Sequence, residues 1–343
     1  MGMGCIIPIR TGSRIDTRAT KPVGRLARIS VESRENPFVL DRLRIAKKRP
    51  KMAFSHRICH RLPMVVAAAV VMGVSGCSIP SGSIGLSNLH QTRTKTIPVS
   101  KMTDLTIEAA NAPVTVTAED RTSIELTFKL DISGATGSYV QAMAKKVKAR
   151  VKINGGKVRI TVDMPKRQQP MSGIGYSLDL KVPKNIVVNV RTTNGVVTVT
   201  GPFRECGLET ANAPIVVSKV TQVTKASTTN GKVDASDLDG RITLDSSNGP
   251  IVATGVKPTD GVTATSSNGS IRIECMQVTT AGVHAETANA GITILLPKGT
   301  IADVDADTAN AGKTISVTQG TGPKAIPVTA QTSNGGIDIS YSP

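Results

Sequence analysis

The segment RITLDSSNGPIVATGVKPTDGVTATSSNGSIRI (residues 241–273) contains the phrase Ser-Ser-Asn-Gly twice, each time followed by alternating apolar residues. Related phrases, [Thr/Ser]-[Thr/Ser/Ala]-Asn-[Gly/Ala], recur eight times between residues 191 and 339, at spacings of 18 to 24 residues. Their asparagines are Asn194, Asn212, Asn230, Asn248, Asn268, Asn289, Asn310 and Asn334. This period, in short segments rich in Thr, Val and Ile, predicts a β-solenoid.

The phase of each repeat predicts strand, corner and second strand. Apolar or small residues stand six and four positions before most of the asparagines, as Ile242 and Leu244 do before Asn248. Side chains alternate across a strand, so these positions face inward. The same inward face holds a hydroxyl residue two positions before every asparagine. After the asparagine the apolar residues stand at odd distances, three and five positions beyond it, as Ile271 and Ile273 do after Asn268. This change from even to odd distances means that one residue is used in a bend. A looser return completes the repeat.

The asparagine corners favour a structural interpretation. Gly follows five of the asparagines and Ala follows three, so the corner needs a small residue more than positive φ. Strands that stack about 4.8 Å apart would let the asparagines share amide hydrogen bonds from rung to rung. We therefore predict a structural asparagine ladder. A catalytic or ligand-binding row is the alternative.

The net charge of +17 is misleading, because it is concentrated near the N-terminus. Residues 1–77 carry 15 Lys/Arg against 4 Asp/Glu, whereas residues 78–343 carry 27 against 21. The second part has no aromatic-and-basic recognition motif. The composition gives no reason to expect a nucleic-acid partner.

Residues 52–76 are predicted to form a secretory signal. A basic head from Met52 precedes the apolar run 64–74 and the small residues Ser75 and Gly76. The run is too short to span a bilayer, which needs about 20 residues. We expect translation to start at Met52, so that residues 1–51 are a mis-started or disordered extension.

Val-Ser-Gly-Cys at 74–77 resembles the bacterial lipobox. The resemblance implies that Cys77 receives a diacylglycerol group and becomes the first mature residue. In a bacterium with two membranes, Ser78 resembles the signal for sorting to the outer membrane. The alternative is a cleaved signal with an incidental cysteine.

Three regions are predicted after the signal: a lipidated tether at 77–95, a less regular β section with one helix at 96–190, and the solenoid at 191–341. An early rung is placed around Asn111, and Asn154-Gly155 predicts a hairpin. The pattern over 138–148 predicts an amphipathic helix. Its Lys145, Lys146 and Lys148 form either a solvated face, which we favour, or a membrane-facing patch.

Two longer phrases resemble a known family. YSLDLKVPKNIVVNVRTTNGVVTVTG (176–201) and ITILLPKGTIADVDADTANAG (292–312) share a strand, Pro-Lys-[Asn/Gly], a second strand and the asparagine corner. They look like the bacterial "putative adhesin" family of β-solenoid domains of unknown function. The resemblance covers about residues 98–341 and implies a fold and an exported location, with no active residues. Lys313 departs from it by occupying an inward position.

An enzyme is the alternative class, because some solenoids carry catalytic carboxylates on one face. The candidates for a polysaccharide-degrading site are Asp234, Asp237, Asp239 and Asp245, or Asp303, Asp305 and Asp307. After Cys77 only His90 and His284 remain, far apart in sequence, which disfavours a His-based triad or a multi-His metal site. Phe203 is the one aromatic residue in 191–339, which disfavours sugar stacking.

A cation site is a third interpretation. Glu286 and Asp307 are expected on neighbouring rungs, where like charges disfavour pairing unless a cation lies between them. The Gly-Gly-x-Gly-x-Asp repeat of calcium-binding solenoids is absent, so we predict no metal and no cofactor. Cys206 and Cys275, about three rungs apart, are expected to be buried thiols that cannot bridge.

The sequence thus predicts an all-β protein, a β-solenoid of about eight to nine rungs. We expect an exported, lipid-anchored structural or adhesion module at the bacterial cell envelope. Its expected partners are the membrane, through the anchor, and an envelope or surface protein or glycan.

Overall fold

The structure is a computed structural model that describes residues 87–99, 101–165 and 173–343. The predicted extension 1–51, signal 52–76, lipidation site Cys77 and sorting residue Ser78 lie outside these ranges. Within them the chain forms 22 strands and one helix. No helix of the described residues is long and apolar enough to cross a membrane.

The N-terminal section combines parallel and antiparallel strands with the helix. Its elements are β1 (Ser87–Pro98), β2 (Asp104–Ala109), β3 (Val114–Glu119), β4 (Ser123–Gly134), α1 (Gly137–Lys146), β5 (Lys148–Asn154), β6 (Lys157–Asp163) and β7 (Gly173–Pro183). Among the described strands, the antiparallel pairs are β1–β4, β4–β7 and β5–β6. The hairpin expected at Asn154-Gly155 is confirmed.

Strand β1 corrects the predicted tether. Residues 87–95 belong to β1, which pairs with β4 along its whole length. Strand β4 alternates buried and more exposed residues, and β7 covers its other edge. Pairing with β1 satisfies the backbone groups on the remaining edge. The polar side chains of β1 gave no apolar alternation by which to recognise a strand.

Helix α1 confirms the predicted helix, with a shift at its C-terminus. Thr136 Oγ1 accepts a hydrogen bond from the Tyr139 amide and caps the first turn. The helix buries Val140, Met143 and Ala144, and it packs on β1 and β4. Residue 147, inside the predicted helix, is the C-cap, and Lys148 starts β5.

The solenoid repeats contribute one strand before each asparagine and one after it. The strands are β8 (Val187–Thr192), β9 (Val197–Thr210), β10 (Ile215–Thr228), β11 (Val233–Leu238), β12 (Arg241–Ser246), β13 (Ile251–Val256), β14 (Val262–Ser266), β15 (Ile271–Cys275), β16 (Val283–Thr287), β17 (Ile292–Leu296), β18 (Ile301–Thr308), β19 (Lys313–Ile315), β20 (Thr318–Gln319), β21 (Ile326–Thr332) and β22 (Ile337–Tyr341).

The parallel strands stack in two walls, which confirms the β-solenoid. Wall A contains the strands that precede the corners, in the order β6, β2, β8, the second halves of β9 and β10, β12, β14, β16, β21 and β18. Wall B contains those that follow the corners, in the order β7, β3, the first halves of β9 and β10, β11, β13, β15, β17, β22 and β19. Asn111 and the eight later asparagines mark nine rungs.

The predicted looser return is an ordered third side of the stack. In six of the rungs one apolar residue points inward there and is fully buried: Phe203, Val220, Leu238, Val256, Cys275 and Leu296. Backbone bonds link successive rungs, such as Lys257 N–H to Leu238 O and Met276 N–H to Val256 O, both 2.8 Å. Phe203 therefore belongs to the core and offers no stacking platform.

The last repeat in sequence is not the last rung in space. Strand β21 lies between β16 and β18, and β22 lies between β17 and β19. The rung of β18 and β19 therefore ends the stack. Lys313 explains this placement, because its inward position would bury an ammonium group between two rungs at a large cost. At the end of the stack it is exposed and donates to Ala306 O at 2.7 Å.

Candidate functional site

The nine asparagines form one hydrogen-bonded ladder. Each Nδ2 donates to Oδ1 of the preceding rung, at 2.6 to 2.8 Å over seven of the eight steps, and Asn194 donates to Asn111 in the remaining one. An amide has two N–H groups and two lone pairs. Each interior asparagine therefore keeps a donor and an acceptor for solvent or a ligand.

The hydroxyl residues two positions before the asparagines are structural. All eight donate to a corner carbonyl of the rung below, as Ser246 does to Gly231 O at 3.1 Å and Thr332 does to Ala290 O at 3.0 Å. Four of them also accept the amide N–H of the corner glycine. These hydroxyl groups already form hydrogen bonds within the corners, so they are not free to bind a ligand.

Close stacking explains the small residue at each corner. A Cβ added at Gly249 would lie 1.9 Å from Gly231 O, and one at Gly195 would lie 1.7 Å from Ala112 O. The five glycines that follow ladder asparagines are not among the residues with positive φ. Space, and not backbone conformation, selects glycine at these positions.

A groove crosses the outward face of wall A near Gly207. It has a volume of about 590 Å³, and its polar lining includes Thr106, Glu108, Asn189, Arg191, Glu209, Lys225 and Ser227. Gly207 removes one side chain from this row, and Asn189 Oδ1 leans into the space, 2.5 Å from where a Cβ would stand.

Ion pairs fix the charged side chains of this groove. Arg159 pairs with Glu108 and Arg191 pairs with Glu209, both at 2.6 Å. Lys225 lines the groove on the next rung, and within the described residues it forms no ion pair. The groove therefore offers alternating charge and one ammonium group for an external acceptor.

A second, hydroxyl-rich groove continues the first along wall A. It has a volume of about 530 Å³, and its outward lining includes Ser227, Thr229, Asp245, Ser247, Thr265, Ser267 and Glu286. Ser227 lines both grooves. Together they cross seven strands, from β2 to β16, which corresponds to about 29 Å at the usual strand spacing.

The predicted catalytic carboxylates do not converge. Asp245 is on wall A, whereas Asp234 is on wall B and pairs with Lys232 at 2.7 Å. Asp237 and Asp239 lie near the return side, where Asp239 N–H donates to Val220 O at 2.8 Å. The second set, Asp303, Asp305 and Asp307, is exposed along β18 of the terminal rung.

The predicted adjacency of Glu286 and Asp307 is wrong. Both residues pair with Gln331, which lies between them because β21 is inserted between β16 and β18. The geometric argument for a cation between the two carboxylates is therefore lost. Within the described ranges, no group of three or more His, Cys, Asp or Glu residues is arranged to hold a metal ion.

The two solenoid cysteines are free and buried. Burial raises the pKa of both Cys206 and Cys275 to about 12, and Glu274 adds to the effect at Cys275. Both thiols are therefore protonated at neutral pH, and their side chains fill core space.

The groove residues were not recognised from the sequence, although a signal was present. The outward positions five before each asparagine hold Asn189, Gly207, Lys225, Thr243, Thr263, His284, Asp305 and Thr329. Gly207 is the one glycine in this row. A residue without a side chain in an outward row of polar side chains marks a depression.

Comparisons with known proteins return solved structures only. No family model and no curated protein matches the chain. It is similar to a "putative adhesin" from Bacteroides fragilis, with 12% identity, 74% of this chain and 97% of that chain covered, and a TM-score of 0.38. A "putative adhesin" from Parabacteroides distasonis matches with 12% identity, 73% and 97% coverage, and a TM-score of 0.35.

A "putative cell adhesion protein" from Clostridium sporogenes matches with 10% identity, 74% and 100% coverage, and a TM-score of 0.27. Two of these three neighbours carry the words "putative adhesin", which are also the name of the family that residues 176–201 and 292–312 resemble.

Proposed function

We propose that the chain is a lipid-anchored, exported binding module of the bacterial cell envelope, and that the continuous groove of wall A holds an extended, hydroxyl-rich polymer such as a polysaccharide. The observation that carries the proposal is the continuity of the two grooves through Ser227. An isolated pocket would suit a small molecule, whereas a channel across seven rungs suits a linear one.

The lining supports a polar polymer over an apolar or peptide ligand. Ligand pockets for small molecules are mostly apolar, whereas hydroxyl, amide and charged groups dominate this groove. A peptide usually adds to a free sheet edge or fills an apolar groove. The strands of wall A between β2 and β16 are already paired on both sides, so recognition falls to their side chains.

Filling the depression at Gly207 tests the groove. In Gly207→Val the new Cβ meets only the flexible end of Asn189 within 4 Å, and a β-branched residue suits a strand. On an array of bacterial surface polysaccharides, we expect the parent to bind and Gly207→Val to bind at least about tenfold more weakly, a loss of about 1.4 kcal/mol.

The matched control is Ser218→Val, which adds volume on wall B. It should bind like the parent, and both variants should melt within a few degrees of it. Equal binding by Gly207→Val and the parent would reject the groove.

Anchoring is proposed through Cys77 and supported by the lipobox resemblance. Mass spectrometry of the mature N-terminal peptide should find Cys77 diacylated and first in the chain. When membranes are washed at high salt, which screens charge attraction to lipid headgroups, Cys77→Ala should move the protein from the membrane fraction to the soluble fraction. An unmodified Cys77 in membrane-bound protein would contradict the proposal.

Binding without cleavage is part of the proposal, and one observation supports the enzyme alternative. Asp245 and Glu286 line the same groove with one strand between them, about 9.5 Å apart along the stack. Inverting glycosidases place their carboxylates about 6.5–9.5 Å apart. Release of reducing ends from a bound polysaccharide, abolished by Asp245→Asn, would establish the alternative.

A further inference from the structure

The N-terminal end of the stack carries nearly all the net positive charge of the folded part. Residues 132–162 contain no Asp or Glu. Their basic residues are Lys145, Lys146, Lys148, Arg150, Lys152, Lys157 and Arg159. Without these seven, residues 78–343 hold 20 basic residues against 21 acidic ones. A solvated surface usually mixes both signs, so a segment of one sign points to an anionic partner.

The lysines of this segment are free to bind. Arg150 pairs with Asp163 and Arg159 pairs with Glu108. The lysines are exposed, and none of them forms an ion pair with a described residue. They lie on the last turn of α1 and on the β5–β6 hairpin.

Apolar side chains are exposed beside these lysines. Strand β5 lies antiparallel beside β6, the first strand of wall A, and pairs only with β6 among the described strands. Near the tip of the hairpin Ile153 is 50% exposed, and beyond β6 Met164 is 40% exposed. Lysines around exposed apolar side chains are typical of surfaces that lie at a lipid headgroup layer.

The described chain begins at the opposite end of α1 from its lysines, about 15 Å away along the helix, since Ser87 pairs with Gly134 just before α1. Strand β1 begins at Ser87, ten residues after Cys77, a span of at most about 35 Å. Arg93 of β1 donates to the carbonyls of Ala144 and Val147 at 2.7 and 3.0 Å, which holds β1 against the C-terminal end of α1. A lipid on Cys77 would therefore keep the lysines of α1 within reach of the membrane.

We propose that α1 and the β5–β6 hairpin dock on an anionic phospholipid surface, with the five lysines at the headgroups and Ile153 at their apolar boundary. This inference rests on the proposed anchor at Cys77 for its setting. Docking adds a second attachment to a single lipid anchor and orients the stack.

Vesicle binding by the full chain carrying Cys77→Ala tests the docking without any acyl chain. The vesicles are phosphatidylcholine alone or phosphatidylcholine with phosphatidylglycerol, at low and high salt. We expect binding to the anionic vesicles that weakens as salt rises. In this background the test variant is Lys145→Gln, Lys146→Gln, Lys148→Gln and Lys152→Gln. At roughly fivefold per lysine near the surface, removing four should weaken binding by about 600-fold.

The matched control carries Lys219→Gln, Lys257→Gln, Lys298→Gln and Lys324→Gln, which removes the same charge elsewhere. It should bind within about twofold of the parent, since these lysines lie outside the basic segment. All three chains keep the same basic leader, which also attracts anionic lipid, so the difference in binding between the two variants is the quantity that tests the docking. Circular dichroism verifies folding. Equal losses in both variants, or equal binding of the parent to both vesicles, would overturn the docking. Failure of the anchor appears separately, as an unmodified Cys77 in the mature protein.

Discussion

The two ends of the solenoid are closed in different ways. At the N-terminal end, antiparallel strands, a hairpin and a helix cover the first rung. At the C-terminal end an ordinary repeat is left exposed, and charge replaces added structure: Lys313 caps a carbonyl, and Asp303, Asp305 and Asp307 line the outward face of β18. Charges on a terminal strand disfavour the addition of further strands. A repeat can therefore be made terminal by a few polar residues.

The order of the C-terminal rungs gives the largest expected effect. Ile339 is fully buried in β22, whereas Ile315 is only partly buried in the terminal strand β19. Ile339→Ala should cost about 2–5 kcal/mol of unfolding free energy, and Ile315→Ala less than about 1.5 kcal/mol. Urea denaturation measures both. A rung order that followed the sequence would reverse the two costs.

Glycines that directly follow a ladder asparagine should tolerate substitution less than glycines one position later. Gly249→Ala places a methyl group against Gly231 O, whereas a Cβ at Gly312, two positions after Asn310, meets no atom within 4 Å. We expect a loss of about 3 kcal/mol in the first variant and a change within about 0.5 kcal/mol in the second. Thermal melting compares them, and a similar loss in both would contradict the steric explanation.

Alkaline pH should lower the stability of the folded protein, because it favours ionisation of the two buried thiols in the unfolded chain. Burial raises the folded-state pKa of Cys206 and Cys275 from 9.0 to about 12. This contribution to stability is complete below the unfolded pKa and is lost as the pH rises from about 9 towards 12. At pH 10 it should amount to a loss on the order of 1 kcal/mol per thiol.

Denaturation at pH 8 and pH 10 of the parent and of Cys275→Val checks the alkaline effect. The variant should lose less stability between the two pH values. At pH 8, iodoacetamide should leave both thiols of the native protein unmodified, as read on their tryptic peptides.

The smallest expected difference in stability is between an interior and a terminal asparagine of the ladder. Asn248 makes two amide bonds, to Asn230 and Asn268, whereas the terminal Asn310 makes one, to Asn334. At about 0.5–1.5 kcal/mol for a net hydrogen bond, and at the low end for exposed groups, Asn248→Ala should cost about 1 kcal/mol and Asn310→Ala about half of that. Equal costs in urea titrations would show that the two ladder bonds of Asn248 do not add.

The repeat phrase was sufficient to predict the strands, corners and inward columns. Stacked strands bring the same position of every repeat together, so one residue type recurs wherever the contact recurs, as Ser246 and Thr332 show. The order of the rungs could not be predicted, because Asn289, Asn310 and Asn334 are equivalent at the ladder. Lys313 was the available signal, since it marks a rung that cannot be interior.

The N-terminal section and the groove were less predictable. The Asn154-Gly155 turn is local and was recognised, whereas the pairing of β1 with β4 joins residues far apart in the chain and depends on strands of different composition. The groove arises from side chains on separate rungs around Gly207. The inward columns of the repeat predict the core. The depression lies on the outward face, where the repeat does not specify the side chains.

The insertion of β21 and β22 has a consequence for how the protein is made. The ribosome makes residues 326–341 after the other described strands, yet these residues fill an interior place between rungs already synthesised. Assembly cannot finish by simple growth from one end. A chain truncated before residue 326 lacks this inner layer and leaves the apolar faces of the rungs on either side of it uncovered.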